Sequence, residues 1–246
     1  MLTSKNQMNN CAVLIPVYKK SLSELEFNNI TSSLNNLKGF DKYFIAPSEL
    51  NLSSYEQFNE LIKIKRFDKH YFESINDYSR LMLSKDFYLT FATDYTHILI
   101  LQTDAKILKP ELSLWLNQKF DYIGAPWKNG FQLQIKSKKI PIVEGVTCHA
   151  HVGNGGLSLR KIKSCLNLFD EFEDTHSEWV KYGHAEDLFF SFLGGISSSF
   201  ILPNIYKAAQ FSHETDSNYF FNLIGNSLPF GIHGNDKYDF DYLKNL

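Results

Sequence analysis

Along the chain, short continuous apolar runs alternate with longer segments whose apolar residues fall three and four positions apart. Ala12-Val-Leu-Ile-Pro-Val-Tyr18 reads as a strand buried on both faces. Glu24 to Leu37 carries Leu25, Ile30, Leu34 and Leu37 and closes with Gly39, the pattern of a helix with its C-terminal cap. Lys42-Tyr-Phe-Ile-Ala46 gives a second strand ended by Pro47, and Leu61 to Phe67 alternates as a third. Ser74 to Phe91 reads as a single helix leading into His97-Ile-Leu-Ile-Leu-Gln-Thr-Asp-Ala105, an apolar strand that stops abruptly in a polar triplet. Strands alternating with helices predict a mostly parallel sheet with right-handed crossovers.

The second half has a different texture. Tyr122-Ile-Gly-Ala-Pro-Trp127 predicts a short strand broken at Pro126, followed by an exposed excursion over Lys128–Lys139. Val152-Gly-Asn-Gly-Gly-Leu-Ser-Leu-Arg160 reads as a glycine-rich loop between sheet and helix, a wall that a ligand could approach closely. A helix follows to about Phe172, another runs from near Ala185 to Gly194-Gly195, and the tail after Pro203 is expected to be irregular.

At 246 residues and 43% hydrophobic content, the chain can bury one large core, so we read residues 1–246 as a single domain. About 11–110 would form its nucleotide-binding half and about 111–246 its acceptor and catalytic half. A formal charge of -2 argues against nucleic acid as a partner. Three widely spaced cysteines, Cys11, Cys148 and Cys165, argue against a disulfide framework and fit a reducing compartment. The polar start MLTSKNQMNN and the lack of a long apolar window lead to the expectation of a cytoplasmic protein. The basic cluster Lys136–Lys139 reads as a solvated loop, or as a contact with an anionic membrane surface.

Several polar groups sit where chemistry is done. Asp104 ends a buried strand, where α/β sheets place ligands, and either caps the next turn or binds a hard cation. The adjacent acids Glu186 and Asp187 open an apolar helix, where they complement its dipole or supply a general base kept ionised by the helix N-terminus. His233, between glycines in Pro229-Phe-Gly-Ile-His-Gly234, is either structural or a metal ligand. His149 and His151 share a strand face without the cysteine pairs of a zinc site. No G-x-G-x-x-G follows the first strand, which argues against a dinucleotide oxidoreductase.

Gln102-Thr-Asp104, Asp121-Tyr-Ile-Gly-Ala-Pro-Trp127, Gly153-Asn-Gly-Gly-Leu-Ser-Leu-Arg160, Glu186-Asp187 and Phe230-Gly-Ile-His233, in that order, resemble the DUF5672 family of bacterial and fungal glycosyltransferase-like proteins. The resemblance covers about residues 11 to 234. It implies an α/β fold of GT-A type: a Rossmann-like, mostly parallel sheet flanked by helices, with a smaller antiparallel acceptor-side region. It also implies a glycosyltransferase moving sugar from a nucleotide-diphosphate donor to a glycan or lipid-linked acceptor hydroxyl in bacterial surface polysaccharide synthesis.

Under that resemblance, Asp104 and His233 would bind Mn2+ or Mg2+ on the donor diphosphate. Gln102 stands where the motif has its first acid, which leaves open a metal-independent variant. Pro16, Tyr18, Arg80, Gln102, Thr103 and Asp104 would line the nucleotide side. Trp127, Asn154, Gly155, Gly156 and His184 would face sugar or acceptor; Trp127 could equally be core, and Arg80 a surface ion pair. Asp187, or failing that Glu186, would take the acceptor proton in an inverting displacement. The setting implied is lipopolysaccharide or capsule synthesis at the inner face of the cytoplasmic membrane, with peripheral membrane association. The competing readings are a sugar-nucleotide or glycan-binding module without catalysis, and a nucleotidyltransferase, whose glycine-rich basic loop is missing after Pro16-Val-Tyr-Lys-Lys20.

Overall fold

The computed structural model describes residues 10–134 and 147–244. The first apolar run becomes β1 (Cys11–Pro16), buried at every position. Helix α1 (Glu24–Asn36) starts in a capping box, in which the Ser23 side chain accepts from the Glu26 amide and the Glu26 carboxylate accepts from that of Ser23. Then come β2 (Asp41–Pro47) and β3 (Lys63–Phe67), the latter an edge strand guarded by lysines.

The segment read as one helix from Ser74 to Phe91 is two, α2 (Ile75–Met82) and α3 (Lys85–Ala92). Ser74 and Ser84 each cap a new start, and a cap in mid-segment outweighs a continuous apolar stripe. There follow β4 (His97–Leu101), β5 (Ala105–Ile107), α4 (Leu112–Leu116), β6 (Tyr122–Gln134), β7 (Thr147–Lys161), α5 (Ile162–Glu171), α6 (Glu173–Tyr182), α7 (Glu186–Ile196), α8 (Ile205–Phe211), β8 (Ser212–His213), α9 (Ser217–Leu223) and β9 (Gly231–His233).

Three expectations for the second half are corrected. β6 runs through Pro126 to Gln134, and the glycine segment lies inside β7 rather than in a loop. The disturbance shows instead as register shifts between the two strands at Ile123/Ala125, Ala125/Pro126 and Pro126/Phe131. The tail is structured. The cluster Lys136–Lys139 falls outside the described residues.

The main sheet has the order β3-β2-β1-β4-β7-β6, with the first four strands parallel and β7 antiparallel to both its neighbours. Its two faces bury separate cores. Leu81, Phe87, Tyr88, Phe169 and Phe190 lie on one, and Val13, Ile15, Ile30, Phe44 and Phe58 on the other. The chain winds from β1 outward through β2 and β3, then returns to place β4 on the other side of β1. The reversal opens a crevice at the carboxyl ends of β1 and β4, the position at which α/β sheets bind ligands. The antiparallel β6–β7 pair belongs to the acceptor-side half, and a second sheet, β5-β9-β8, closes the end of β4, with β5 antiparallel and β8 parallel to β9.

Candidate active site

Asp104 stands between β4 and β5, at the crevice. Antiparallel pairing of β5 with β9 sets Ala105 opposite His233, and the Gly234 amide donates to the Asp104 carbonyl at 3.0 Å. This register brings the late histidine to the early acid. Asp104 Oδ1 lies 3.2 Å from His233 Nε2, and Gln102 Oε1 lies 3.1 Å from the same nitrogen. Neighbouring ligands of an octahedral divalent ion stand about 3 Å apart, and two oxygens with one imidazole suit Mn2+ or Mg2+. The donor set therefore fits a cation completed by substrate oxygens, with the Gln102 amide as a neutral member. Among the described residues, no group of three or more His, Cys, Asp or Glu side chains could hold a metal ion.

Charge in this corner is balanced tightly. Burial alone would raise the Asp104 carboxyl, but His233 and Lys237, whose Nζ lies 2.9 Å from Oδ2, hold it well below the usual carboxylate range. Burial opposes the His233 imidazolium, yet Asp104 and Glu214 lift its pKa to about 9. Glu214 Oε1 is 3.1 Å from His233 Nδ1. Its other oxygen accepts from the Asn154 amide, whose own oxygen accepts from the Gly156 amide at 3.1 Å.

The glycines Gly155 and Gly156 are needed for a reason other than the one expected. A Cβ on Gly156 would sit 2.1 Å from His233 Nε2, and one on Gly155 would sit 2.4 Å from Glu186 Oε1. The absent side chains make room for the protein's own histidine and glutamate.

The adjacent acids divide. Glu186 is buried, and its Oε1 accepts from Arg160 Nη2 at 3.0 Å while Oε2 accepts from Ser79 Oγ at 3.2 Å. Arg160 is 0% exposed; it also donates to Ser158 Oγ at 3.0 Å and Tyr88 Oη at 3.2 Å, and lies over the Tyr122 and Phe190 rings at 5.3 and 5.2 Å. With both oxygens held, Glu186 pins the start of α7 to β7. Asp187, next on the helix, has no ion-pair partner among the described residues, and there its carboxyl accepts from the Leu188 amide alone, at 2.7 Å. The expectation that the helix N-terminus keeps this group ionised is corrected for low pH. Burial and the negative charge of Glu186 overcome the Leu188 amide and Arg160, and lift the Asp187 pKa to about 7.

The remaining expected residues scatter. Pro16 is buried at the end of β1, and Tyr18, two residues on, is 59% exposed. The Thr103 hydroxyl donates to Glu26 Oε1 at 2.6 Å, tying the Asp104 turn to α1. Arg80 does not reach the crevice: its guanidinium donates to the Val180 and Lys181 carbonyls at 3.0 and 3.2 Å and pairs with Asp77. Trp127 is 9% exposed and packs edge-on against Phe131 at 4.6 Å, a core position. His184 is exposed and turns to Trp179 and Tyr182. His149 and His151 do share a face of β7, with ring centroids 6.4 Å apart.

Glu214 and Lys237 escaped the sequence reading altogether. Glu214 follows a two-residue strand with no periodicity to mark it. Lys237 had a weak signal, four positions after the candidate histidine in a Gly-Asn-Asp-Lys turn.

The comparisons agree with this architecture. Mouse xyloside xylosyltransferase 1 in its apo form superposes with a TM-score of 0.56 at 11% identity, over 94% of this chain and 99% of that one. An active-site mutant of LgtC gives 0.56 at 13% identity, over 95% and 93%. The galactosyltransferase LgtC in complex with donor and acceptor sugar analogs gives 0.55 at 11%, over 90% and 86%. At such low identity these likenesses show the fold, which is that of GT-A glycosyltransferases. No curated protein matches the chain in sequence. The family model described as "Protein of unknown function (DUF5672)" matches residues 61–233, well over half of the chain, and spans both the Asp104 strand and His233. The chain belongs to the DUF5672 family.

Proposed function

We propose that the chain is a glycosyltransferase that moves a sugar from a nucleoside-diphosphate sugar to a hydroxyl of a glycan or lipid-linked acceptor. The observation that carries this reading is the convergence of Gln102, Asp104 and His233 at the sheet's switch point. Asp104, His233 and the Gln102 amide would hold Mn2+ or Mg2+, which when bound neutralises charge on the departing diphosphate. Lys237, within reach of Asp104, adds a cation on the same side. Tyr18 offers its exposed ring to the nucleobase.

On the acceptor side, Asp187 takes the hydroxyl proton as the acceptor oxygen bonds to the anomeric carbon. The bond from that carbon to the diphosphate oxygen breaks, and its electron pair leaves with the nucleotide. Displacement in line inverts the anomeric configuration. The finer setting we propose is lipopolysaccharide or capsule assembly at the inner face of the cytoplasmic membrane; its support is the glycosyltransferase class and no particular residue. No helix among the described residues is long and apolar enough to cross a membrane.

Incubation with a panel of nucleotide sugars and mixed acceptors, followed by measurement of released nucleoside diphosphate and NMR of the product's anomeric proton, tests the reading. Release with one donor class and an inverted product is expected. A retained product would contradict Asp187 as base and move it to the anomeric carbon itself. No release with any donor, alongside nucleotide binding, would favour the binding-module reading.

A further inference from the structure

A cavity of about 640 Å3 opens on the acceptor half, and none of the charged groups described above lines it. Its walls come from β7 through His149 and His151, from α7 through Ser191 and Gly195, from the segment 202–206, and from α9. Ser191 lies about one helical turn after Asp187, so the cavity begins about 6 Å along α7 from the proposed base. Its volume falls within the range of roughly 300–1,000 Å3 of small-molecule sites.

The lining carries no formal charge among the described residues. No Asp, Glu, Lys or Arg is among them, and Leu202, Pro203, Ile205, Leu223, Ala150 and Val152 line it together with the rings of Tyr206 and Tyr219. Of the polar groups present, Ser191 and Asn204 are spoken for, while the buried His151 Nδ1 has no hydrogen-bond partner among the described residues. Ser191 Oγ lies 2.6 Å from the Val152 carbonyl and 2.7 Å from that of Asp187, which commits its one hydrogen to backbone. Asn204 Oδ1 accepts from the Lys207 amide and caps α8. Tyr219 already has Lys128 Nζ over its ring, 4.8 Å from the centroid. A sugar ring carries a hydroxyl on most of its carbons, and each one buried without a partner weakens binding. Hydrocarbon or aromatic surface gains on the same transfer.

We infer that this cavity binds the apolar aglycone of the acceptor, so that the acceptor is an amphiphile rather than a free oligosaccharide. Calling the occupant an acceptor rests on the glycosyltransferase reading; the preference of the cavity for apolar groups does not. Gly195 provides a clean handle. A Cβ built there meets nothing within 4 Å, and its backbone is helical, so a larger side chain enters open space without strain.

The test is calorimetric titration of the intact chain with n-octyl β-glucoside below its micellar concentration, with phenyl β-glucoside, and with glucose. At least one glycoside is expected to bind at least about tenfold more tightly than glucose, and the tighter of the two identifies a hydrocarbon or an aromatic occupant. Gly195→Trp is expected to remove that binding and Gly195→Ala to keep it. Equal affinity for glycosides and glucose, no glycoside binding, or unchanged binding by Gly195→Trp would each overturn the inference. Nucleoside diphosphate binding, followed in the same samples, reports separately. Its loss with glycoside binding retained contradicts the glycosyltransferase reading and not the cavity; its retention by Gly195→Trp shows that the variant is folded.

Discussion

Asp187→Asn is expected to lower kcat by about 10²–10⁴-fold while nucleotide binding stays unchanged, the scale of loss for a removed general base. The amide matches the carboxyl in size and can still accept from the Leu188 amide, so the backbone at the start of α7 has no cause to shift. The pH profile gives a second signature. Only the carboxylate can take a proton, and burial beside Glu186 holds Asp187 near a pKa of about 7, so activity rises with pH up to about 7 and then levels. The limb should vanish in the Asn variant. Stability runs the other way. A carboxyl whose folded pKa is raised contributes stability that is fully present below its unfolded pKa, near 4, and lost as pH rises through about 7. Asp187→Asn should therefore melt above the parent at alkaline pH and close to it at pH 4. A stability gain coupled to lost activity is the expected mark of a strained catalytic group. A flat pH profile in the parent, or near-normal turnover by the variant, would exclude Asp187 as base.

Arg160→Met should cost about 3–5 kcal/mol of stability, because it strands a carboxylate inside the protein. In a chain of this size that amounts to roughly 6–20 °C in Tm. Arg160 is fully enclosed, and Glu186, Ser158 and Tyr88 are arranged around it. Methionine replaces the aliphatic stem but leaves the Glu186 charge with only the Ser79 hydroxyl. The double variant Arg160→Met, Glu186→Gln removes that charge and should recover a large part of the loss. If the single variant melts like the parent, the ion pair does not organise the start of α7. If the double variant melts no higher than the single, the cost lies in the packing of the arginine stem rather than in the stranded charge.

How far the sequence showed all this depends on how local each feature is. β1 and β4 were legible because a central parallel strand is buried on both faces and reads as an unbroken apolar run. The place of Asp104 followed, since the run has to end where polarity begins. The join to His233 was not derivable from pattern: it depends on pairing between two three-residue strands, too short to show a period. The resemblance supplied that pair instead. Polar α6 buries no residue and so offered no stripe to read. The glycine segment announced close approach correctly but not its object, which is the protein's own His233 and Glu186. Nor could sequence rank Glu186 against Asp187. Successive helix positions point about 100° apart, and only the position of Arg160 decides which acid is consumed in structure.

The claim on which the rest depends is that the Asp104–His233 corner binds the donor diphosphate with a divalent cation. Thermal unfolding of the chain with nucleoside diphosphates, in Mn2+, Mg2+ or EDTA, tests it most directly. A nucleotide at 100 times its Kd should add about 2.7 kcal/mol, several degrees in Tm, and the gain should vanish in EDTA and in His233→Ala. A gain of the same size in EDTA would contradict the cation, and no gain with any nucleotide would contradict the donor site.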